Sequence, residues 1–144
     1  MVAALALALA QAATNFNCTL SVPAAVSPSG MTAIGGLPDG ALHFDLELSE
    51  REMAIRWPIS PIQLNGRTAW FPTGESIGSA FFVDRGPCMF TETACGHAVS
   101  FARQADQSLV LQIQPTAFTT EQSGAKRLFV VVIEGRCTPR GSRR

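Results

Sequence analysis

Residues Ser79–Gln114 read SAFFVDRGPCMFTETACGHAVSFARQADQSLVLQIQ, and the fold turns on how this stretch is divided. Ile77–Asp84 is an apolar run of strand length, ended by Arg85-Gly86-Pro87. Cys88–Thr91 is a short extended segment, and Ala94-Cys95-Gly96 turns the chain. In His97–Arg103, Val99 and Phe101 point one way while Ala98, Ser100 and Ala102 point the other, the period of two that marks a half-buried strand. After a turn beginning at Gln104-Ala105-Asp106, Leu109, Leu111 and Ile113 alternate with Val110 and Gln112. Matching the two apolar faces requires Phe101 to lie opposite Leu109 or Leu111. A slip of one residue would turn the aliphatic set to solvent.

Downstream, Pro115–Lys126 is polar and contains Ser123-Gly124, so it reads as the least structured part of the body. Leu128–Ile133, LFVVVI, is the longest β-branched run in the chain. It predicts a mid-sheet strand covered on both faces.

Upstream, Leu37-Pro38-Asp39-Gly40 has turn chemistry, and a strand is expected over Met31–Leu37 before it. Phe44, Leu46 and Leu48 alternate with polar residues, as do Met53, Ile55 and Trp57. Ser49-Glu50-Arg51-Glu52 between them fits a helix capping box, but Pro58 would stop a helix after two turns. The alternation favours a hairpin with a four-residue loop. Leu48 then faces Met53, Leu46 faces Ile55, Phe44 faces Trp57, and Asp45 meets Arg56 on the outer face. Asn65-Gly66 predicts a second hairpin, a type I′ turn joining Ile62–Leu64 to Arg67–Trp70, with Phe71-Pro72-Thr73-Gly74 ending the element.

Some eight short strands with Gly/Pro turns and no convincing helical period predict an all-β fold. The expectation is a single small antiparallel β-sandwich or barrel preceded by a signal peptide. Residues 1–13 form the signal peptide, 14–30 an extended N-terminal arm, 31–138 the antiparallel β domain, and 139–144 a basic C-terminal tail. The leader, MVAALALALAQAA, is apolar and ends in the small-x-small pattern Ala10-Gln11-Ala12, although it lacks a basic start. It is too short to span a bilayer, so no transmembrane segment is expected.

The four cysteines fit export, to the periplasm or beyond, because disulfides persist in oxidising compartments. Four allow three connectivities. Cys88 and Cys95 flank a turn, while Cys18 and Cys137 sit near the two ends of the mature chain, and domain termini often meet. The favoured pairs are Cys88–Cys95 and Cys18–Cys137. Eleven basic residues balance eleven acidic ones, which argues against nucleic acid as a partner.

Candidate chemistry is sparse. Gly74-Glu75-Ser76-Ile77-Gly78 matches the nucleophile-elbow pattern, and a small hydrolase built on Ser76 and His97 is the alternative reading. The pattern requires a strand-to-helix turn, whereas Ala80-Phe81-Phe82-Val83 continues as a strand. Cys95-Gly96-His97 beside Cys88 and Met89 suggests a metal, but only two histidines exist and both cysteines serve better as a bridge. No cofactor is expected. Asn17-Cys18-Thr19 matches the glycosylation triplet, a weak signal beside the use of Cys18 in a bridge. Trp70 and Phe71 are neighbours in a strand, so they point to opposite faces and one can be exposed. With Arg67 on the same element they form the candidate ligand surface. The balance favours a non-catalytic exported domain with a binding, inhibitory or envelope-structural role. Its expected partner is an envelope or extracellular protein, a peptide or a glycan.

Overall fold

A computed structural model describes residues 13–21, 24–27, 30–33, 40–60, 62, 64–84 and 95–141. Among them every regular element is a strand: β1 Thr14–Leu20, β2 Ala24–Ser27, β3 Gly30–Ala33, β4 His43–Leu48, β5 Glu52–Arg56, β6 Gly66–Gly74, β7 Ile77–Asp84, β8 Cys95–Arg103, β9 Leu109–Thr120 and β10 Lys126–Pro139. All pairings are antiparallel. β4 to β10 follow one another as a meander, and β1 pairs with both β4 and β10. The sheet therefore closes into an eight-stranded up-and-down barrel, an arrangement that removes free sheet edges.

Thr14–Leu20, placed by sequence in an N-terminal arm, is the strand that closes this barrel. β2 continues β1 along β10. Leu20 pairs with Gly135 and Ala24 with Val132. β3 pairs with β2 as β4 pairs with β1. The barrel wall is thus taller on the side of β9, β10, β2 and β3.

The inward positions carry the core: Phe16, Cys18 and Leu20 on β1, Phe44, Leu46 and Leu48 on β4, Met53 and Ile55 on β5, Val99 and Phe101 on β8, Leu109, Leu111 and Ile113 on β9, Val131, Ile133 and Cys137 on β10. Each is an alternate residue, as the pleat requires. The first expected hairpin is present with its register: Leu48 opposes Met53, Leu46 opposes Ile55, and Asp45 opposes Arg56. Phe44 stacks on Trp57 with ring centroids 4.8 Å apart. Ser49 Oγ accepts the backbone N–H of Glu52 at 3.0 Å within the turn. Phe101 opposes Leu111, one of the two positions that the apolar faces allowed.

Three expectations fail, each for a tertiary reason. Asn65-Gly66 is not a hairpin turn. Gly66 has φ 131, but Asn65 is not in the positive-φ region that a type I′ turn requires at both positions. Ile55 already pairs with Gly66, so the chain between them is a loop. That loop sends Trp57, Ile62 and Leu64 into the core, where they close the barrel at this end. The Asn65 side chain braces it, accepting the Trp57 N–H at 2.6 Å and donating to the Trp57 carbonyl at 3.1 Å. Trp57 Nε1 donates to the Ala41 carbonyl at 2.9 Å, which satisfies the buried indole.

Pro115–Lys126 is not irregular. β9 runs to Thr120, a turn follows in which Gly124 takes φ 84, and β10 begins at Lys126. LFVVVI does lie mid-sheet, but a barrel wall is covered only on its inner face. Val131 and Ile133 are buried, while Leu128 is 74% exposed.

Cys18 and Cys137 are register partners on β1 and β10, both inward, with Cα atoms 4.0 Å apart, and they form a disulfide. It joins the first and last strands of the barrel. The second expected bridge, Cys88–Cys95, lies outside the described residues because Cys88 is not among them, and the same holds for the signal peptide and for the turn at residues 37–39.

Candidate functional site on the outer wall of β6, β7 and β8

β6 and β7 meet across a tight turn, and their register sets the site. Trp70 pairs with Ala80, and Phe71 with Ser79. Ala80 is buried, so Trp70 points inward and Phe71 outward. Trp70 donates Nε1–H to the Ser49 carbonyl at 2.9 Å and meets Phe101 edge-on at 5.1 Å. That contact depends on the residue between them: a Cβ on Gly78 would lie 2.6 Å from both Trp70 Cε3 and Phe101 Cζ. Glycine here permits two rings from strands either side of β7 to touch across it.

On the outside, Phe71 is 58% exposed, Phe81 53% and Val83 63%. Phe81 sits two residues along β7 from Ser79, the partner of Phe71, which makes the two phenyl groups diagonal neighbours. The Phe81 ring lies across Gly96 of β8: its Cζ is 2.8 Å from where a Cβ on Gly96 would stand. The result is a group of three exposed apolar side chains on β6 and β7, with the Phe81 ring reaching over β8. Isolated exposed apolar residues are ordinary, whereas a contiguous patch marks an interaction surface.

Arg67, the third residue of the sequence-derived surface, faces outward on β6 but is engaged elsewhere. It pairs with Glu47 and with Glu52, each at 3.3 Å. Hydrogen bonds donated to Glu47 and then to Glu52 hold its guanidinium above its ordinary pKa. Trp70 is partly buried against the core, Arg67 is held in ion pairs with β4 and β5, and of the three Phe71 lies in the patch. Phe81 and Val83 were missed. The signal was present in Phe81-Phe82, since adjacent aromatics in a strand must face opposite ways.

Ser76 and His97 do not come together. Ser76 lies in the exposed β6–β7 turn with φ 58, beside Ile77, which pairs with Ala102. His97 is five residues further along β8, buried inside the barrel opposite Phe82 and Pro115. The separation is about 16 Å at ~3.3 Å per residue, far outside hydrogen-bond reach. The motif is a strand–turn–strand hairpin without the sharp turn into a helix that exposes a nucleophile. The hydrolase built on this pair is thereby withdrawn. Among the described residues no three His, Cys, Asp or Glu side chains are grouped to hold a metal ion, and no helix is long and apolar enough to cross a membrane. Cys88 and Met89, named with His97 as metal candidates, lie outside the described residues.

Set against protein-family models, curated proteins and solved structures, the chain matches none of them.

Proposed function

We propose that the chain is an exported, non-catalytic binding domain that holds a protein or peptide partner against the outer wall of β6, β7 and β8. The observation that carries the reading is the exposed group Phe71, Phe81 and Val83 on neighbouring strands. Small barrels bind ligands inside only when side chains leave room. Here Phe16, Trp57, Met53, Ile62, Leu64 and Ile113 fill the interior. A convex wall suits a macromolecular surface better than a small molecule, which needs a concave site. Export is supported by the leader-like residues 1–13 and by the buried Cys18–Cys137 bridge, which suits an oxidising compartment.

The test uses mature protein immobilised and exposed to envelope extract, beside a Phe71→Ser/Phe81→Ser variant and a reduced control. The wild type is expected to retain a partner that the variant releases, with the near-ultraviolet circular dichroism of the two proteins unchanged. Equal retention by the folded variant refutes the patch as the binding surface.

A further inference from the structure

Beside the apolar patch, two cross-strand rows start from β7 and lie side by side on the outer wall. In one, the register sets Ile77 beside Ala102, Ala102 beside Val110, and Val110 beside Arg136. In the next it sets Ser79 beside Ser100, Ser100 beside Gln112, and Gln112 beside Glu134. The first row is apolar until its last residue. The second carries a side-chain oxygen at every position. The side chains over β8 are short, Ser100 and Ala102, and Ile77 and Glu134 stand at the two sides, so a groove of about 330 Å³ remains.

Glu134 is the charged residue among those described that line this groove. Glu134 and Val110 also line a neighbouring depression of about 210 Å³, on whose wall Arg136 stands together with Thr19 and Ser21. Glu134 is exposed, and none of the ion pairs among the described residues includes it.

We propose that this groove takes a lysine side chain from an extended partner peptide. A lysine buries its methylene stem along apolar surface while keeping its charged head solvated. The Ile77–Ala102–Val110 row supplies such a surface. The head is an ammonium with three N–H donors and no acceptor. Gln112 and Glu134, neighbours across β9 and β10, present it with an amide oxygen and a carboxylate. A carboxylate ligand would be repelled by Glu134. An uncharged side chain of the same length would cover the oxygen row without donating to it. Charge thus selects the occupant, and the flanking apolar row selects one with a long stem. The groove adjoins the apolar patch, since Ser79 is the register partner of Phe71, but the residues that receive the ammonium, Gln112 and Glu134, lie on β9 and β10, two strands or more beyond β7.

The experiment is a nitrogen-15 NMR titration with acetyl-Ala-Lys-Ala-amide, its norleucine and glutamate counterparts, and n-pentylammonium. The lysine peptide is expected to move the amide signals of Ala102, Val110, Gln112 and Glu134 saturably. Its norleucine counterpart should bind about tenfold more weakly, and Glu134→Gln should weaken the lysine peptide by about as much, as loss of one charge-assisted contact implies. Val83→Ser, at the end of β7 away from Ile77, should leave the titration unchanged, so failure here is separable from failure of the patch. Absence of saturable shifts at the solubility limit, equal binding of norleucine, or an unaffected Glu134→Gln variant overturns the proposal. Binding of n-pentylammonium as tight as that of the lysine peptide also overturns it, because the groove would then be a site for free amines.

Discussion

On one side of the barrel, Asp45, Glu47 and Glu52 on β4 and β5 hold paired charge with Arg140, just past the end of β10, and with Arg67 on the adjoining β6. On the other, Phe71, Phe81 and Val83 stand in solvent on β6 and β7. Beneath both sides buried apolar residues at alternate positions pack into one core, against which β6 sets the partly buried Trp70. The contrast is confined to the outer face, which contributes little to folding. It therefore bears on what the barrel meets and not on why it folds. The charged side also holds the seam where β1 meets β10, and the locks are there: the Cys18–Cys137 bridge and Arg140, which donates from Nε to Asn17 Oδ1 at 2.6 Å and pairs with Asp45. The apolar side has its backbone ladder, the rings beneath it and a hydrogen bond between the Ser79 and Ser100 hydroxyls at 3.1 Å.

The largest effect should come from breaking the seam. The bridge spans 119 residues of sequence, and in the chain-entropy model a loop of that size restrains the unfolded chain by about 4–5 kcal/mol. Cys18→Ala/Cys137→Ala is expected to lose about 4 kcal/mol in urea unfolding, a large part of the stability of a domain this size. A loss below about 1 kcal/mol would show that the strand pairing of β1 suffices and that the seam is no more locked than the far wall.

Gly78→Ala attacks the far wall from inside. The added methyl group would overlap Trp70 and Phe101, whose rings are fixed in the core and cannot swing away as an exposed chain could. Overpacking of this kind costs about 1–3 kcal/mol, and the lower melting temperature should come with a changed near-ultraviolet signal from Trp70. An unchanged spectrum with full stability would mean that the T-shaped contact is not what Gly78 serves.

These differences bear on what the sequence could reveal. The hairpin at Leu48–Met53 and the pairing of Phe101 with Leu111 were legible because both strands alternate, and a one-residue slip would expose every apolar side chain. The Cys18–Cys137 bridge was legible from the positions of the two residues near the chain ends. The loop from Trp57 to Asn65 was not. Ile62 and Leu64 are spaced like strand residues, but they plug the barrel, and burying them outweighs the turn preference of Asn65-Gly66. The extension of β9 to Thr120 was hidden for a different reason. Those residues are held by backbone pairing to β10, which leaves no apolar pattern to read. Of the candidate surface, the opposed facing of Trp70 and Phe71 was legible, but which of them lay outside depended on the pairing of Trp70 with Ala80. The ion pairs of Arg67 come from strands too far away in sequence to be foreseen.

The smallest effect separates the two walls most cleanly. Arg140 is about half exposed, so its pair with Asp45 is screened by solvent and contributes ~1 kcal/mol or less. Its backbone N–H also donates to the Asn15 carbonyl at 2.8 Å, a contact that Arg140→Ala keeps. The variant should therefore lower the melting temperature slightly at low salt, and the difference should shrink as added salt screens the exposed pair in the wild type. Binding of a partner by the β6–β8 patch should not change, since Arg140 lies across the barrel from it. Phe71→Ser should do the reverse, leaving stability within about 0.5 kcal/mol as surface changes usually do while abolishing the partner's retention. If Arg140→Ala instead released the partner, the charged seam and not the apolar wall would be the contacted face, and the division of labour between the two sides would have to be reversed.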